Sequence, residues 1–324
     1  MRSLRLETAG EVVAIETGLP WTGRLLEEAA DGTLGSSSTQ PTISIKVEAE
    51  RAPFPTAGFS VLTRGAWSRA GDVVVEDVCG TGLDLRLVVG TDIPKFTFRW
   101  RPRPRRRLEG ALLPSRFHLL VRAALVQYPV IWWASVQGRA PLHAVACTFG
   151  EAVALLAGPG GVGKSTLLKA ELEDGGSATS DNLCVGDGRA VWGLVEPMRI
   201  EGAGGRKMPH GRAETPLTGR VSQLVPDRII VVRRGEGDEA RLRPCDAETA
   251  SRSLVSGTYM AGELRRFWGF AATLAAGTGV GPSHPPVVEI ARSFATRVPC
   301  YELDLARRPG SRLAQIVKPM EATA

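Results

Sequence analysis

The sequence predicts a mixed α/β protein with a β-rich N-terminal region. Within roughly the first 100 residues, several short segments alternate apolar and polar residues, which is the pattern of half-buried strands. Later in the chain, an apolar run at 152–157 leads into a glycine-rich loop and then into a segment with helical spacing. A strand, a glycine-rich turn and a helix in that order are typical of α/β folds.

The composition is that of a soluble globular protein. The 324 residues are 43% hydrophobic and 23% charged, and the formal net charge of +6 suits an anionic ligand. The five cysteines are scattered without a C-x-x-C pair, which predicts reduced thiols rather than a disulfide framework or a metal centre. The N-terminus lacks the apolar core of a signal peptide, so we expect a cytoplasmic protein.

The longest apolar stretch, at 119–136, is interrupted by Arg122 and Gln127 and divided by Pro129. It therefore predicts a buried helix at 114–127 and a buried strand at 128–133, and not a membrane span.

The N-terminal strands predict a small antiparallel sheet that assists substrate recognition. The alternating segments lie at 3–8, 42–48, 83–88 and 95–100. A basic run punctuated by proline follows at 101–107 and is expected to be extended and exposed. It could bind an acidic peptide or a phosphorylated partner, or form a solvated linker. We place the domain boundary there, which gives a β-rich region at 1–107 and a second domain at 108–324.

The second domain is expected to alternate strands and helices. The predicted elements are a hairpin of 142–149 with 152–157, a helix at 167–173, a hairpin of 183–185 with 190–192, a strand at 228–233, a helix at 254–276 broken by glycines, and a strand at 299–303. The first hairpin is informative, because the strand before a phosphate-binding loop usually has parallel neighbours.

The glycine-rich loop at 158–166 reads G-x-x-x-x-G-K-S, the phosphate-binding loop of nucleotide-binding proteins. Its glycines let backbone amides turn toward phosphate oxygens, Lys164 would bind the β/γ-phosphates and Ser165 would bind Mg²⁺. The residues predicted to bind the nucleotide are Gly158, Gly160, Gly161, Val162, Gly163, Lys164, Ser165 and Thr166.

Two further residues are candidates for chemistry. Asp181, in the turn after the loop helix, could act as a base toward an acceptor hydroxyl or as a Mg²⁺ ligand together with Ser165; a structural Asx turn is the alternative. His143 lies on the strand paired with the one that enters the loop, and it could approach the phosphates or serve only a structural role. A basic segment at 206–212, which contains His210, could close over phosphates or remain a solvated loop.

Other nucleotide-binding signatures are missing from the sequence. There is no S-G-G-Q and no N-K-x-D motif, and the strand at 229–232 runs into Arg233 and Arg234 instead of an acidic residue. Asp181 is therefore the carboxylate best placed to hold the metal.

Taken together, these motifs resemble the HPr kinase/phosphorylase-like proteins, whose catalytic domain has the phosphoenolpyruvate-carboxykinase-like fold. The resemblance covers about residues 140–235 and rests on His143, the hairpin into the phosphate loop, the S-D-N sequence at 180–182 and the E-P-M-R sequence at 196–199. It implies that Lys164 and Ser165 bind phosphates and Mg²⁺, that Asp181 is base or metal ligand, and that His143 lies near the phosphates.

The chain departs from the family's pattern at three places. Thr166 replaces a glutamate, Asn182 replaces the second residue of an Asp-Asp pair, and the family's glycine-rich stretch after that pair is not recognisable. These departures make phosphorylase activity and HPr docking doubtful. The chain is more similar to divergent members found beside peptide natural-product genes, some of which phosphorylate a serine of a precursor peptide.

The sequence thus predicts an ATP- and Mg²⁺-dependent kinase whose acceptor is a hydroxyl of a peptide, a protein or a small molecule. The alternative is a nucleotide-binding regulatory module without transfer chemistry, which the residues at 166 and 182 keep open. Nucleic acid is not an expected partner, because the aromatic residues near the basic run alternate as in an ordinary strand. The resemblance also suggests a homo-oligomer.

Overall fold

The computed structural model describes residues 2–35, 39–90, 92–201, 204–208, 211–307 and 310–321. The described chain forms a mixed α/β structure that divides into two compact units. The first unit contains the chain through Gln137, a short segment that starts at Lys207, and Arg265–Pro285; the second contains the remainder. The boundary predicted at residue 107 falls inside the first unit, because the helices that follow it pack with the N-terminal elements.

The first unit is built on one eight-stranded sheet with the order β1-β2-β3-β8-β7-β6-β5-β4. Its strands are β1 (Arg2–Thr8), β2 (Glu11–Thr17), β3 (Ile43–Glu48), β4 (Ser60–Thr63), β5 (Ala66–Arg69), β6 (Asp72–Val75), β7 (Leu83–Val88) and β8 (Lys95–Trp100). The prediction of a β-rich region is confirmed. The prediction of a small antiparallel sheet is wrong, since β3 pairs in parallel with both β2 and β8.

Alternation along the strands buries one face of this sheet. In β2 and β3 every second residue is buried, and Phe96 and Phe98 of β8 are fully buried. The Phe96 ring packs edge-on against Trp132, with centroids 5.8 Å apart. The helices of the unit are α1 (Pro20–Ala29), α2 (Pro104–Leu112), α3 (Pro114–Arg122), α4 (Tyr128–Val136) and α7 (Phe267–Thr278).

Two segments of this unit differ from their predicted structure. The run at 128–133 is the helix α4 instead of a strand. It continues α3 through a π-helical turn at Ala123–Gln127, and this local change in hydrogen bonding accommodates Pro129, which lacks an N–H. The basic run is helical from Pro104, which occupies the first helical turn that favours proline.

The structure contains one described helical stretch, Pro114–Val136, that is long and apolar enough to cross a membrane. Its most apolar window is 78% buried within the protein, as in a core helix of a soluble protein.

The second unit contains three sheets. The largest has the order β10-β11-β18-β20-β19, formed by β10 (Val145–Phe149), β11 (Ala152–Ala157), β18 (Arg228–Arg234), β20 (Cys300–Leu305) and β19 (Arg241–Cys245). A four-stranded sheet contains β17 (Gln223–Leu224), β13 (Val191–Gly193), β12 (Cys184–Gly186) and β9 (Ala140–Leu142). The third contains β14 (Met198–Glu201), β16 (Arg212–Thr215) and β15 (Arg206–Lys207).

The strand order around β11 confirms the predicted hairpin. β10 and β11 are antiparallel with Phe149 opposite Ala152, and β11 is parallel to β18 on its other side. The core beneath this sheet includes Leu156 of β11, Ile230 of β18 and Leu168 of the helix at Lys164–Glu173, together with apolar residues of β10.

The helices of this unit are α5 (Lys164–Glu173), α6 (Ala247–Met260), α8 (Val287–Arg297) and α9 (Leu313–Glu321). The prediction of a single helix at 254–276 is wrong, because α6 ends at Met260 and α7 begins at Phe267 in the other unit. Gly262 lies in that break. Gly257 does not break α6 but lets it pack closely, since an added Cβ would lie 3.1 Å from the Gly158 carbonyl oxygen.

All five cysteines are free thiols, as predicted. Burial raises the pKa of Cys147 and of Cys184 to about 12, so both remain protonated and unreactive at neutral pH.

Candidate functional site

The glycine-rich loop connects the end of β11 to the start of α5. Gly158, Gly161 and Gly163 have φ angles of 137°, 79° and 115°, which residues with a side chain rarely adopt. A Cβ at Gly158 would lie 2.7 Å from the Val232 carbonyl oxygen, and one at Gly163 would lie 2.6 Å from Leu305 Cδ1. The loop is therefore seated against β18 and β20 and requires glycine at both positions.

The opposite side of the loop is open. A Cβ at Gly160 or Gly161 would meet no other atom within 4 Å. Val162 packs against the core, whereas Thr166 is exposed in the first turn of α5. Because the first N–H groups of a helix have no partner inside it, this open side favours an anion.

Lys164 is the first residue of α5 and is only 5% exposed. Its Nζ donates to the carbonyl oxygens of Gly158 at 2.7 Å and Pro159 at 3.0 Å. Burial lowers the pKa of Lys164 to about 8, a shift that the negative charges of Asp181 and Glu263 oppose. The ammonium group is thus held inside the loop with part of its charge neutralised by nearby carboxylates.

The strand beside the loop ends in arginines. Arg234 Nε and Nη2 donate to the Gly161 carbonyl oxygen at 3.1 and 2.7 Å, and Arg233 forms an ion pair with Glu302. Many nucleotide-binding proteins have an acidic residue at the end of this strand. Here Arg233 and Arg234 occupy that position and place positive charge next to the loop. The sequence shows these arginines, but not the contact with Gly161.

Asp181 lies in the turn before β12 and is 4% exposed. Its Oδ2 accepts a hydrogen bond of 3.1 Å from the Arg199 backbone N–H, while its Oδ1 is buried without a partner in the described structure. Burial raises the pKa of Asp181, and interactions with the Ser165 side chain and with Arg199 oppose the rise. The structure therefore brings Asp181 to the first turn of the loop helix, next to Ser165.

The two residues before Asp181 are also polar and buried. Thr179 is 1% exposed and Ser180 is fully buried, and neither hydroxyl has a partner among the described residues. The backbone here is tightly packed, because a Cβ at Gly193 would lie 1.9 Å from the Thr179 carbonyl oxygen. Several unpaired polar atoms in one buried turn are unusual, since nearly all such atoms are satisfied in folded proteins.

His143, between β9 and β10, is 5% exposed and contacts the same turn. Its Nε2 lies 3.0 Å from Asn182 Oδ1, and its backbone N–H donates to Thr258 Oγ1 at 3.1 Å. Burial first, and then the positive charge of Lys164, lower the pKa of His143 to about 4. The ring is neutral at pH 7, and its contact with Asn182 Oδ1 is a hydrogen bond in the tautomer that has the proton on Nε2.

A buried ion-pair cluster surrounds this turn. The Arg199 guanidinium contacts Glu196 at 2.7 Å and Glu263 at 2.8 Å, and Arg220 donates to the Glu196 carbonyl oxygen at 2.8 Å. Glu196 is 1% exposed. Sequence reasoning missed Glu263 and Arg220, because neither lies in a recognisable motif and Glu263 is distant in sequence from its partner. The one available signal was an acidic residue in the short segment at 261–266, between α6 and α7.

Some predicted features do not enter the site. Pro209 and His210 of the basic segment lie outside the described residues. Arg212, in β16, is close enough to Lys164 to lower its pKa.

Within the described ranges, no three His, Cys, Asp or Glu side chains form a metal-binding group. The hydroxyl of Ser165 and the carboxylate of Asp181 lie next to each other beside the loop.

Comparisons with known proteins give similarity in structure but no match in sequence. No protein-family profile matches the sequence, and no curated protein matches it. Among solved structures, the chain is similar to the Hpr(Ser) kinase/phosphatase from Coxiella burnetii, at 12% identity over 56% of this chain and 88% of that chain, with a TM-score of 0.27. These values are too low to assign the chain to that family.

Proposed function

We propose that this protein is an ATP- and Mg²⁺-dependent kinase that transfers the γ-phosphate to a hydroxyl acceptor, in the first instance a serine of a peptide or protein. One observation carries the proposal: a phosphate-binding loop with a buried lysine adjoins a buried carboxylate, Asp181, one of whose oxygens has no partner among the described residues. A kinase needs both parts, one to bind phosphates and one to act on the acceptor.

The loop fits a nucleotide polyphosphate. Its open side presents backbone amides and the start of α5, and the residues that would hold the phosphates are Gly158–Gly163, Lys164, Ser165 and Thr166. Lys164 would exchange its contacts with the carbonyls of Gly158 and Pro159 for phosphate oxygens, which are stronger acceptors because they are charged.

Ser165 and Asp181 fit Mg²⁺, since a hydroxyl and a carboxylate are ligands that this ion accepts. When bound, Mg²⁺ would neutralise charge on the phosphate oxygens. A buried carboxylate oxygen without a hydrogen bond is costly, so a ligand or an acceptor proton at Asp181 Oδ1 would relieve an existing penalty.

Asp181 would remove the proton from the acceptor hydroxyl when its Oδ1 faces the acceptor and not Mg²⁺, since one oxygen cannot serve both. Its raised pKa makes it a stronger base than an exposed aspartate, and the Arg199 N–H fixes the orientation of its carboxylate. Lys164 would stabilise the charge that develops on the transferred group. His143, neutral at pH 7, would hold the Asn182 side chain in place and not transfer a proton.

The wider assignment is part of the same proposal. The antiparallel β10–β11 hairpin before the loop supports an HPr-kinase-like catalytic domain of the phosphoenolpyruvate-carboxykinase-like fold within residues 108–324. Residues 1–107 would assist substrate recognition. We also propose a cytoplasmic location and a homo-oligomer, with no role in nucleic-acid binding.

One observation favours a second candidate, a nucleotide-binding regulatory module without transfer. Asn182 offers an amide in place of a second carboxylate, and its oxygen is engaged by His143. A kinase of the same fold acting on a small molecule would share every residue discussed here and would differ only in its acceptor.

A labelling experiment separates these functions. The protein would be incubated with Mg²⁺ and γ-labelled ATP together with a peptide library, a cell lysate and a panel of hydroxyl metabolites. The proposal predicts labelled product with the wild type and none with Asp181→Asn, although that variant still binds ATP. Equal labelling by both proteins would refute the role of Asp181. ATP binding without any labelled product across all three acceptor sets would favour the regulatory module.

A further inference from the structure

The helix α2 is oriented against the usual rule for surface helices. Every one of its residues is at least partly exposed, and the side that faces solvent contains Leu108, 59% exposed, and Leu112, 69% exposed. The next residue, Leu113, is 50% exposed. Surface helices ordinarily turn such residues toward the core.

The inward side of α2 is polar instead. Arg106 forms ion pairs with Asp77 and with Glu109, and Gly110 packs against the Phe117 ring, where an added Cβ would lie 3.3 Å away. The fold therefore anchors α2 through charges and a glycine contact, and leaves its leucines without a covering element in the described structure.

Arginines border the exposed leucines. With a rotation of about 100° per residue, Leu108 and Leu112 lie about 40° apart on the exposed face; Arg105 lies about 20° beyond Leu112, and Arg107 lies about 100° to the other side of Leu108. Arg107 has no carboxylate partner among the described residues, whereas Arg105 contacts Glu109 while remaining 88% exposed. We call Arg105, Arg107, Leu108, Leu112 and Leu113 the α2 surface.

The position of these arginines costs helix stability. They occupy the first turn of α2, where the positive end of the helix dipole disfavours cations, and the helix has no side-chain cap and no acidic residue in that turn. An anionic partner would offset both the dipole and the charge repulsion.

We infer that the α2 surface is a docking site for an amphipathic peptide segment in which acidic residues flank apolar side chains. Apolar side chains of the peptide would cover the leucines, and its carboxylates would pair with the arginines at both edges. This binding requires no phosphoryl transfer, so its test is independent of the proposed kinase activity.

Charge and the small size of the apolar face distinguish this occupant from two others. A two-fold contact between two copies of this face would bring arginine against arginine, because each partner presents the same surface. An interfacial membrane helix usually presents a long apolar face, whereas α2 spans only Pro104–Leu112 and exposes two leucines. A short apolar centre with basic edges suits a peptide.

The test is a selection from a random peptide display library, carried out in parallel on the wild type and on Leu108→Ser/Leu112→Ser. We expect the wild type alone to enrich peptides that combine leucine or aromatic residues with Asp or Glu. In fluorescence anisotropy, the best peptide should bind the double serine variant about tenfold or more weakly. Arg105→Gln/Arg107→Gln should weaken binding and reduce its dependence on salt.

Val61→Ser/Arg64→Gln is the matched control, because it removes one exposed apolar and one exposed basic side chain elsewhere in the same unit. It should bind like the wild type. Melting curves of the control and of Leu108→Ser/Leu112→Ser should lie close to that of the wild type, since the altered side chains are exposed, whereas Arg105→Gln/Arg107→Gln should melt at the same or a slightly higher temperature because it removes cations from the first turn of α2. Failure to enrich any peptide on the wild type over the serine variant would overturn the inference. So would enrichment of basic or uncharged peptides, self-association lost in the serine variant, or binding of phosphatidylserine vesicles in place of peptides.

Discussion

The protonation of Lys164 should control nucleotide affinity above neutral pH. Its buried ammonium has a pKa of about 8 in the free protein, far below that of an ordinary lysine. At pH 9, about one unit higher, only about a tenth of the molecules carry the positive charge, so ATP affinity should be about tenfold lower than at pH 7.5. The nucleotide phosphates are already ionised over this range, since their second pKa is about 6.

Isothermal titration calorimetry between pH 7.5 and 9.5 measures this effect. The dissociation constant of the wild type should rise with pH, whereas that of Lys164→Arg should stay flat, because arginine does not lose its proton in this range. Weaker ATP binding by Lys164→Arg at every pH leaves the test intact, since the slope of affinity against pH is the readout. A flat wild-type profile, or the same slope in both proteins, would refute the assigned environment of Lys164.

Three further substitutions test the site. Gly158→Ala should destabilise the protein by about 2–4 kcal/mol in urea unfolding, because the added Cβ would meet the Val232 carbonyl oxygen and because φ at this position is 137°. Gly160→Ala is the control and should change the free energy of unfolding by about 0.5 kcal/mol or less, since its Cβ would meet no other atom within 4 Å. Equal effects of the two substitutions would contradict the loop packing. Asp181→Asn should be more stable than the wild type at pH 7. Burial raises the pKa of Asp181, so its ionisation lowers the free energy of unfolding of the wild type, and the difference should vanish as the pH falls below about 4. A variant less stable than the wild type at pH 7 would contradict this. Arg199→Leu should cost roughly 3 kcal/mol, since Glu196 loses its guanidinium partner, and an unchanged unfolding midpoint would show that the cluster adds little.

Local features of the sequence were sufficient to predict the strands and the helix around the glycine-rich loop. The strand predicted at 152–157 is observed as Ala152–Ala157, because a continuous apolar run bounded by glycines leaves little ambiguity. The hairpin before it and the one at 184–193 were equally clear, since each combines short apolar strands with a glycine turn.

Tertiary context decided what the sequence could not. The run at 128–133 is apolar on all sides, so it has neither a helical nor a strand period, and only its packing against the first sheet makes it helical. The pairing of Arg199 with Glu263 joins residues far apart in the chain, and no local pattern reveals it. The exposed leucines of α2 were likewise not predicted, because the prolines of the basic run indicated an extended segment and no helix was expected there.

The most direct test of the account is the binding of ATP to the purified protein at pH 7.5, compared with Lys164→Met. Both candidate functions require this loop to bind nucleotide phosphates through Lys164. The account predicts saturable binding by the wild type, with a dissociation constant at least about tenfold higher for the variant, since a charge-assisted contact is lost. A wild type that binds no ATP, or a variant that binds it equally well, would contradict the account.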